Sequence, residues 1–213
     1  MMIESKYIEK ILNIVKRSRD PNESYGGIKF PYGYHSLNLR GVKFVGQRNN
    51  YSRLENVSFD FKNKTVLDIG CNSGGVLHSL HCSIKYGIGV DINKNYINIA
   101  NLIKDYNNIN NLHFYTFDIE NQELENLKDF ILTDKVDICF FLSMSKWIRN
   151  WTEVVNFCYS LCPTLLFESN GENQNNQERI VRNIYSDVTL IKDESLDGKS
   201  QKKRKLFLCK KIL

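Results

Sequence analysis

The chain has 213 residues, of which 42% are hydrophobic and 25% charged, with a formal net charge of +5. That balance suits one globular domain and excludes a disordered, collagenous or disulfide-scaffold protein. No apolar run reaches the roughly 18–20 residues that span a bilayer, and the start, MMIESKYIEKILNIVKRSRD, mixes acids and bases without a signal-peptide core. A cytoplasmic protein with no membrane partner is therefore expected.

In chain order, residues 1–63 read as an N-terminal extension. A helix is predicted over about 3–17, with Ile8, Ile11, Leu12 and Val15 sharing one face. The following SYGGIKFPYGYHSLNLRGVKFVGQRNNYSR is too rich in glycine and aromatics to be a linker. It is expected to fold as a lid over the carboxyl edge of a sheet, where open α/β folds bind ligands.

Residues 64–213 change character. Short β-branched runs (KTVLDI, YGIGVD, LHFYTF, KVDICFFL, PTLLFES) alternate with helical patterns (GVLHSLHC, KNYINIANLIKDY, ELENLKDFIL, WTEVVNFCYSL, NQERIVRNIY). This alternation predicts an α/β domain with a mostly parallel sheet and helices on both faces. DVTLIK and KRKLFLCKKI, separated by a polar stretch, read as a closing hairpin.

Six dispersed cysteines (Cys71, Cys82, Cys139, Cys158, Cys162, Cys209) form no CxxC pair and mostly lie in apolar runs, so reduced, buried thiols are expected. His35, His78, His81 and His113 make no ligand spacing with them, and no metal site is expected. The basic QKKRK run before the last strand reads as a solvated face that permits an anionic substrate.

The most informative segment is KTVLDIGCNSGGVL, a buried strand running through a glycine-rich turn into a helix. Asp68 sits just before Ile69-Gly70, and the dinucleotide pattern GxGxxG is missing. A carboxylate there repels a pyrophosphate but orients an amino-bearing ligand, so nicotinamide binding is not expected. Asp91 ends the second strand, where an acid can accept hydrogen bonds from both ribose hydroxyls. Asp118 ends the third, where it can accept from an adenine amino group between Ile92 and Ile119. Each acid has a simpler reading as a helix cap.

These motifs resemble those of the class I S-adenosylmethionine-dependent methyltransferases over about residues 64–213. VLDIGCNSGG is similar to the family's first motif, GIGVDIN to its second, FDIE to its third and VDICFFLS to its fourth strand. The resemblance implies a Rossmann-like, seven-stranded sheet with an antiparallel last strand, and S-adenosylmethionine as cofactor. It also implies that Asp68, Gly70, Cys71, Asn72 and Gly74 line the methionine and ribose side, that Asp91 holds the ribose, and that Asp118 and Ile119 hold the adenine.

A narrower resemblance links FVGQRNNYSRLENVSFDFKNKTVLDIGCNSGG and LSMSKWIRNW to the methylphosphate capping enzymes, which methylate RNA 5′-phosphates. A similar layout occurs in uncharacterised bacterial methyltransferases of sugars or small molecules. By this resemblance Arg48 and Arg53 lie near the cofactor carboxylate or an acceptor phosphate, and Ser143 to Trp147 flank the transferred methyl. Gln47 departs from that family's Tyr, and Glu168-Ser169-Asn170 from its Glu-Pro-Gln.

The fourth strand ends in LSMSKW and lacks the Asp/Asn-Pro-Pro-aromatic signature of amide and amine methylation. Lys146 is a candidate for neutralising an acceptor phosphate or lowering a hydroxyl pKa. His35 and Glu168 are rival general bases for a hydroxyl acceptor, Tyr34 is a candidate for the pocket mouth, and Trp147 is expected in the core. The expected activity is O-methylation of a small-molecule, sugar or phosphate-bearing acceptor. RNA is the alternative partner, and a non-catalytic cofactor-binding relative the alternative of another class.

Overall fold

A computed structural model describes residues 2–17, 32–133, 135–194 and 204–212. The SYGGIKF part of the extension and most of the QKKRK run lie outside the described residues. The chain begins with α1 (Met2–Arg17), a short hairpin of β1 (Leu37–Leu39) and β2 (Val42–Phe44), and α2 (Asn50–Leu54). The alternating domain follows as β3 (Thr65–Ile69), α3 (Gly75–Leu80), β4 (Tyr86–Asp91), α4 (Lys94–Tyr106), β5 (Leu112–Thr116), a 3₁₀ helix (Leu124–Phe130) and β6 (Ile138–Leu142). It closes with α5 (Trp151–Leu161), β7 (Thr164–Glu168), α6 (Gln174–Ile184), β8 (Asp187–Lys192) and β9 (Leu206–Lys210).

The expected α/β architecture is present. One seven-stranded sheet has the order β5-β4-β3-β6-β7-β9-β8. Its pairings are parallel except those of β9, which runs antiparallel to both β7 and β8. The central strands β3, β6 and β7 are buried at every position, as strands covered on both faces must be. Their side chains divide by the two-residue period. Leu67, Ile69, Phe141 and Phe167 pack with Val154, Cys158 and Val181 of α5 and α6 on one face. Val66, Phe140 and Leu166 pack with Leu77, Ile97 and Ala100 of α3 and α4 on the other. Helices therefore leave β3 and β6 toward opposite faces, which opens a crevice at their carboxyl ends.

Two expectations change. ELENLKDFIL forms a 3₁₀ helix because only Leu127 of Leu124–Phe130 is buried and no side chain caps its start. The extension also has two parts rather than one cover. Ile11 and Val15 of α1, with Leu37 and Leu39, pack on Ile99 and Ile103 along the outer side of α4, away from the sheet's carboxyl edge. Each such buried aliphatic contributes about 1.5–3 kcal/mol. Among the described residues of the extension, the chain around residues 34–36 and 46–53 reaches the strand ends. There His35 and Arg48 form a parallel bridge, with Ser36 N donating to Arg48 O at 3.1 Å and Arg48 N to Tyr34 O at 2.7 Å.

Candidate active site

At the end of β3 the backbone turns through Gly70 (φ 80°), Asn72 (φ 52°) and Gly74 (φ 71°). Glycine is favoured at position 70 by its positive φ, and a Cβ there would also displace the flexible Met144 side chain, whose Sδ would lie 2.4 Å away. The turn is tied to β4, since the amides of Gly70 and Cys71 donate to Val90 O at 2.8 and 3.0 Å. The Cys71 side chain is buried at 1% exposure and its thiol is pushed up by burial, so only its backbone faces the turn.

Two acids line this end of the sheet. Asp91 accepts from Asn72 N and Asn93 N, both at 2.9 Å, which orients a carboxylate whose pKa burial raises. Two amide bonds leave further lone pairs on its oxygens. The cap of α4 is Asn93, whose side chain accepts from Asn95 N and Tyr96 N, so the simpler capping reading of Asp91 is not needed. Asp68 is 2% exposed, and no group among the described residues donates a hydrogen bond to its carboxylate. Burial pushes its pKa up to about 7, against the pull of Arg53 and with the push of Asp91.

Asp118 behaves differently. It accepts from Glu120 N at 3.0 Å, Asn121 N at 3.2 Å and Asn121 Nδ2 at 2.8 Å, and the Asn121 side chain leads in holding its pKa down. The capping reading thus describes its contacts within the chain. Ile92 is 61% exposed on the β4–α4 turn, and Ile119 is half-buried on the β5 side.

The ends of β6 and β7 carry a closed ionic knot. Glu168 is 2% exposed and meets Arg48 Nη2 at 2.5 Å and Arg53 Nη2 at 2.6 Å. Ser143 Oγ donates to the same carboxylate and accepts from Arg53 Nη2 at 3.2 Å and Arg204 Nη1 at 3.0 Å. Burial alone would raise the Glu168 pKa, but Arg53 and then Arg48 hold it well below the carboxylate range. Ser143 is a non-glycine residue at φ 63°, a conformation the knot maintains. Tyr34 joins through its hydroxyl, which accepts from Arg48 Nη1 at 2.7 Å and Arg204 Nη1 at 3.1 Å.

The three candidate catalytic groups separate. Glu168 is held as an anion between two guanidiniums, which makes it a weak proton acceptor. His35 is 4% exposed in a slot where a Cβ at Gly75 would stand 2.6 Å from its own Cβ. Neither ring nitrogen has a hydrogen-bond partner among the described residues, and burial, then Arg53 and Arg48, hold its pKa well below the usual value. The lowered pKa favours the neutral imidazole and makes it a weaker proton acceptor than an ordinary histidine. Lys146 is exposed just beyond β6, its ammonium 5.3 Å from the Trp147 ring centroid. Trp147, expected in the core, is 63% exposed because Ile148 takes the buried position after β6.

Residues 60–190 match the family described as "Methyltransferase domain". The chain belongs to this methyltransferase family. Its sheet order and antiparallel β9 are those of the class I, S-adenosylmethionine-dependent fold. No curated protein matches the chain. Among solved structures, the N-terminal domain of EvdMO1, crystallised in the presence of SAH and D-fucose, superposes with TM-score 0.67 at 8% identity, covering 96% of this chain and 97% of that one. The chain spans 47% of the length of EvdMO1 in its longer structure, with TM-score 0.67 and 10% identity over 95% of this chain. Trm5b from Pyrococcus abyssi superposes with TM-score 0.58 at 13% identity over 84% of this chain and 57% of that one. At such identities these likenesses describe the fold.

The structure of the methyltransferase also brings in residues that sequence reasoning missed. Ser145 Oγ donates to Gln177 Oε1 at 2.8 Å, Asn170 N donates to the same oxygen at 3.0 Å, and Gln177 Nε2 returns a bond to Asn170 O at 2.7 Å. This buried set fixes the turn that presents Lys146 and Trp147. Arg204 belongs to the basic run read as solvated, yet it is 5% exposed at the knot. Its place just before β9 carried the only signal. The cysteines are free, and Cys82 is the exposed exception to the expected burial. Among the described residues no cluster could hold a metal ion, and no helix is long and apolar enough to cross a membrane.

Proposed function

We propose that this methyltransferase moves the methyl of S-adenosylmethionine onto an oxygen that is already anionic, on a small phosphate- or carboxylate-bearing acceptor such as an acidic sugar. The observation that carries this reading is that neither candidate base, His35 or Glu168, is poised to take a proton from a hydroxyl. His35 is buried and kept neutral beside two arginines, and Glu168 is pinned by them. A neutral hydroxyl would need one of them to take its proton, whereas an oxyanion needs neither.

The residues fit the cofactor. Asp68, a buried carboxylate without a donor, suits the methionine ammonium. The Gly70–Gly74 backbone, with Cys71 and Asn72, lies beside the methionine and ribose, and Asp91 presents its remaining lone pairs to the ribose hydroxyls. Ile92 and Ile119 flank the adenine, and Asp118 has acceptor capacity left for its amino group. When bound, S-adenosylmethionine supplies a methyl already activated by its sulfonium. The chain then has to align the acceptor and exclude water. Arg48, Arg53 and Ser143 act by holding the extension on the strand ends. Lys146 faces the acceptor's charge, and the exposed Trp147 ring offers a stacking face for it. Crystallisation of the EvdMO1 domain in the presence of D-fucose supports the sugar frame of the acceptor and, D-fucose being neutral, not its charge.

RNA is the second reading, favoured by the exposed Trp147 beside Lys146, which resembles a base-stacking platform. Against it, Arg48, Arg53 and Arg204 are buried around Glu168 rather than displayed to phosphates. The test is release of S-adenosylhomocysteine with sugar phosphates, sugar acids, neutral sugars and short 5′-phosphorylated RNAs. Turnover with anionic sugars alone is expected. Turnover with neutral sugars would overturn the oxyanion reading, and turnover with RNA that falls steeply with salt would favour the second.

A further inference from the structure

The turns that leave β6 and β7 emerge side by side, because Leu142 and Glu168 are register partners on neighbouring strands. The first turn carries Lys146 and Trp147, and the second, residues 169–173, leads into α6. Gln177, in the first turn of α6 and 5% exposed, bonds to both.

The chemistry of its partners fixes which way the amide points. Asn170 N can only donate and Asn170 O can only accept, so the Gln177 atom 3.0 Å from the first is the oxygen and the atom 2.7 Å from the second is the nitrogen. That oxygen also stands 2.8 Å from Ser145 Oγ, and the serine hydroxyl must therefore donate to it. Asn170 adds a further tie, Nδ2 to Ser143 O at 2.7 Å. Ser143 and Ser145, on either side of Met144, are thus both held to the second turn. Gly171 lies against the Lys146 stem, where a Cβ would stand 3.4 Å from Lys146 Cδ, and Trp147 N closes the first turn on Met144 O at 2.8 Å. Buried polar groups that satisfy one another specify one geometry, and removing one of them leaves the others buried without partners. No bond of this set involves Asp68, Asp91 or Asp118.

We infer that Gln177 is a positioning residue for the acceptor. Buried behind the turn, it touches neither acceptor nor cofactor and acts through the Ser145 hydroxyl, which sets where Lys146 and Trp147 stand. This role rests on the reading of Lys146 and Trp147 as the acceptor's contacts.

The test is steady-state turnover of the full chain with D-glucose 6-phosphate and with D-glucuronate, alongside calorimetry of S-adenosylhomocysteine, in Gln177→Met, Ser145→Ala and the double variant. Gln177→Met keeps the length of the side chain and removes its three side-chain bonds. It should raise the KM for the acceptor by about tenfold through lost positioning, with S-adenosylhomocysteine affinity within about twofold of the parent. Ser145→Ala removes only the link to the first turn and should raise that KM by about threefold or more. It carries the test alone if Gln177→Met fails to fold. The double variant should be no worse than Gln177→Met, because Gln177 acts through Ser145, whereas two independent losses of packing would add. An unchanged KM in Ser145→Ala, additive effects in the double variant, or a loss of S-adenosylhomocysteine affinity as large as the rise in KM would overturn the inference. A parent inactive with both acceptors would instead overturn the anionic-sugar reading, and this role would fall with it.

Discussion

Asp68 and Glu168 are both 2% exposed and stand at the carboxyl ends of strands in the same sheet, yet they live in opposite surroundings. Glu168 is saturated by Arg48, Arg53 and Ser143 and is held as an anion. Asp68 has no donor among the described residues, and burial pushes it up to about 7. A saturated buried carboxylate belongs to the architecture, and an unsatisfied one belongs to a ligand. The difference divides the crevice into a half that holds the extension in place and a half whose carboxylate is left for a ligand, the cofactor under the proposed function.

The largest effect should come from breaking the saturated side. Arg53→Ala leaves Glu168 buried with one partner fewer and should destabilise the fold by about 3–5 kcal/mol in denaturant titration. A loss below 1 kcal/mol would mean that the knot is not structural. The knot should also confer acid sensitivity. Because the folded pKa of Glu168 is depressed, its stabilisation is present above the unfolded carboxylate value and is lost as pH falls toward the folded one. Glu168→Gln should flatten that acid limb.

On the unsatisfied side, Asp91→Ala should weaken S-adenosylmethionine binding by about 2–3 kcal/mol through loss of charge-assisted bonds. Unchanged affinity in calorimetry would remove Asp91 from the site. Asp68→Asn should move stability the other way. The raised folded pKa means that the wild-type carboxylate costs stability as pH rises from its unfolded value through about 7. The amide should therefore be more stable than the parent at pH 8 and about equal at pH 4. An amide variant less stable than the parent at pH 8 would contradict the assignment. The smallest stability effect is expected for Trp147→Ala, within about 0.5 kcal/mol for an exposed side chain. Its KM for the acceptor should rise while the cofactor affinity holds.

The sheet was legible because its evidence is local. KTVLDI, YGIGVD and VDICFF are apolar runs bounded by turn residues, and Gly70 marks the bend at a positive φ. The placement of Asp68 and Asp91 at strand ends was legible for the same reason, since each ends or nearly ends such a run. The knot was not. Arg48 and Arg53 lie 120 and 115 residues from Glu168, and nothing local says that these arginines meet a carboxylate rather than a ligand. Arg204 was masked by neighbouring lysines, and its burial follows from the β9 register alone. Trp147 was misjudged because aromatic size argues for burial, whereas the short turn after Leu142 gives the inward position to Ile148.

The central claim is that Asp68 is the unsatisfied acid awaiting a cationic ligand group. It is tested most directly by calorimetric titration of S-adenosylhomocysteine into the parent and Asp68→Asn between pH 6 and 8.5. The parent's affinity should strengthen as pH rises through about 7, where Asp68 ionises and pairs with the ligand ammonium, and the variant should bind weakly with no such rise. A parent affinity independent of pH, together with an Asp68→Asn variant that binds equally well, would contradict it.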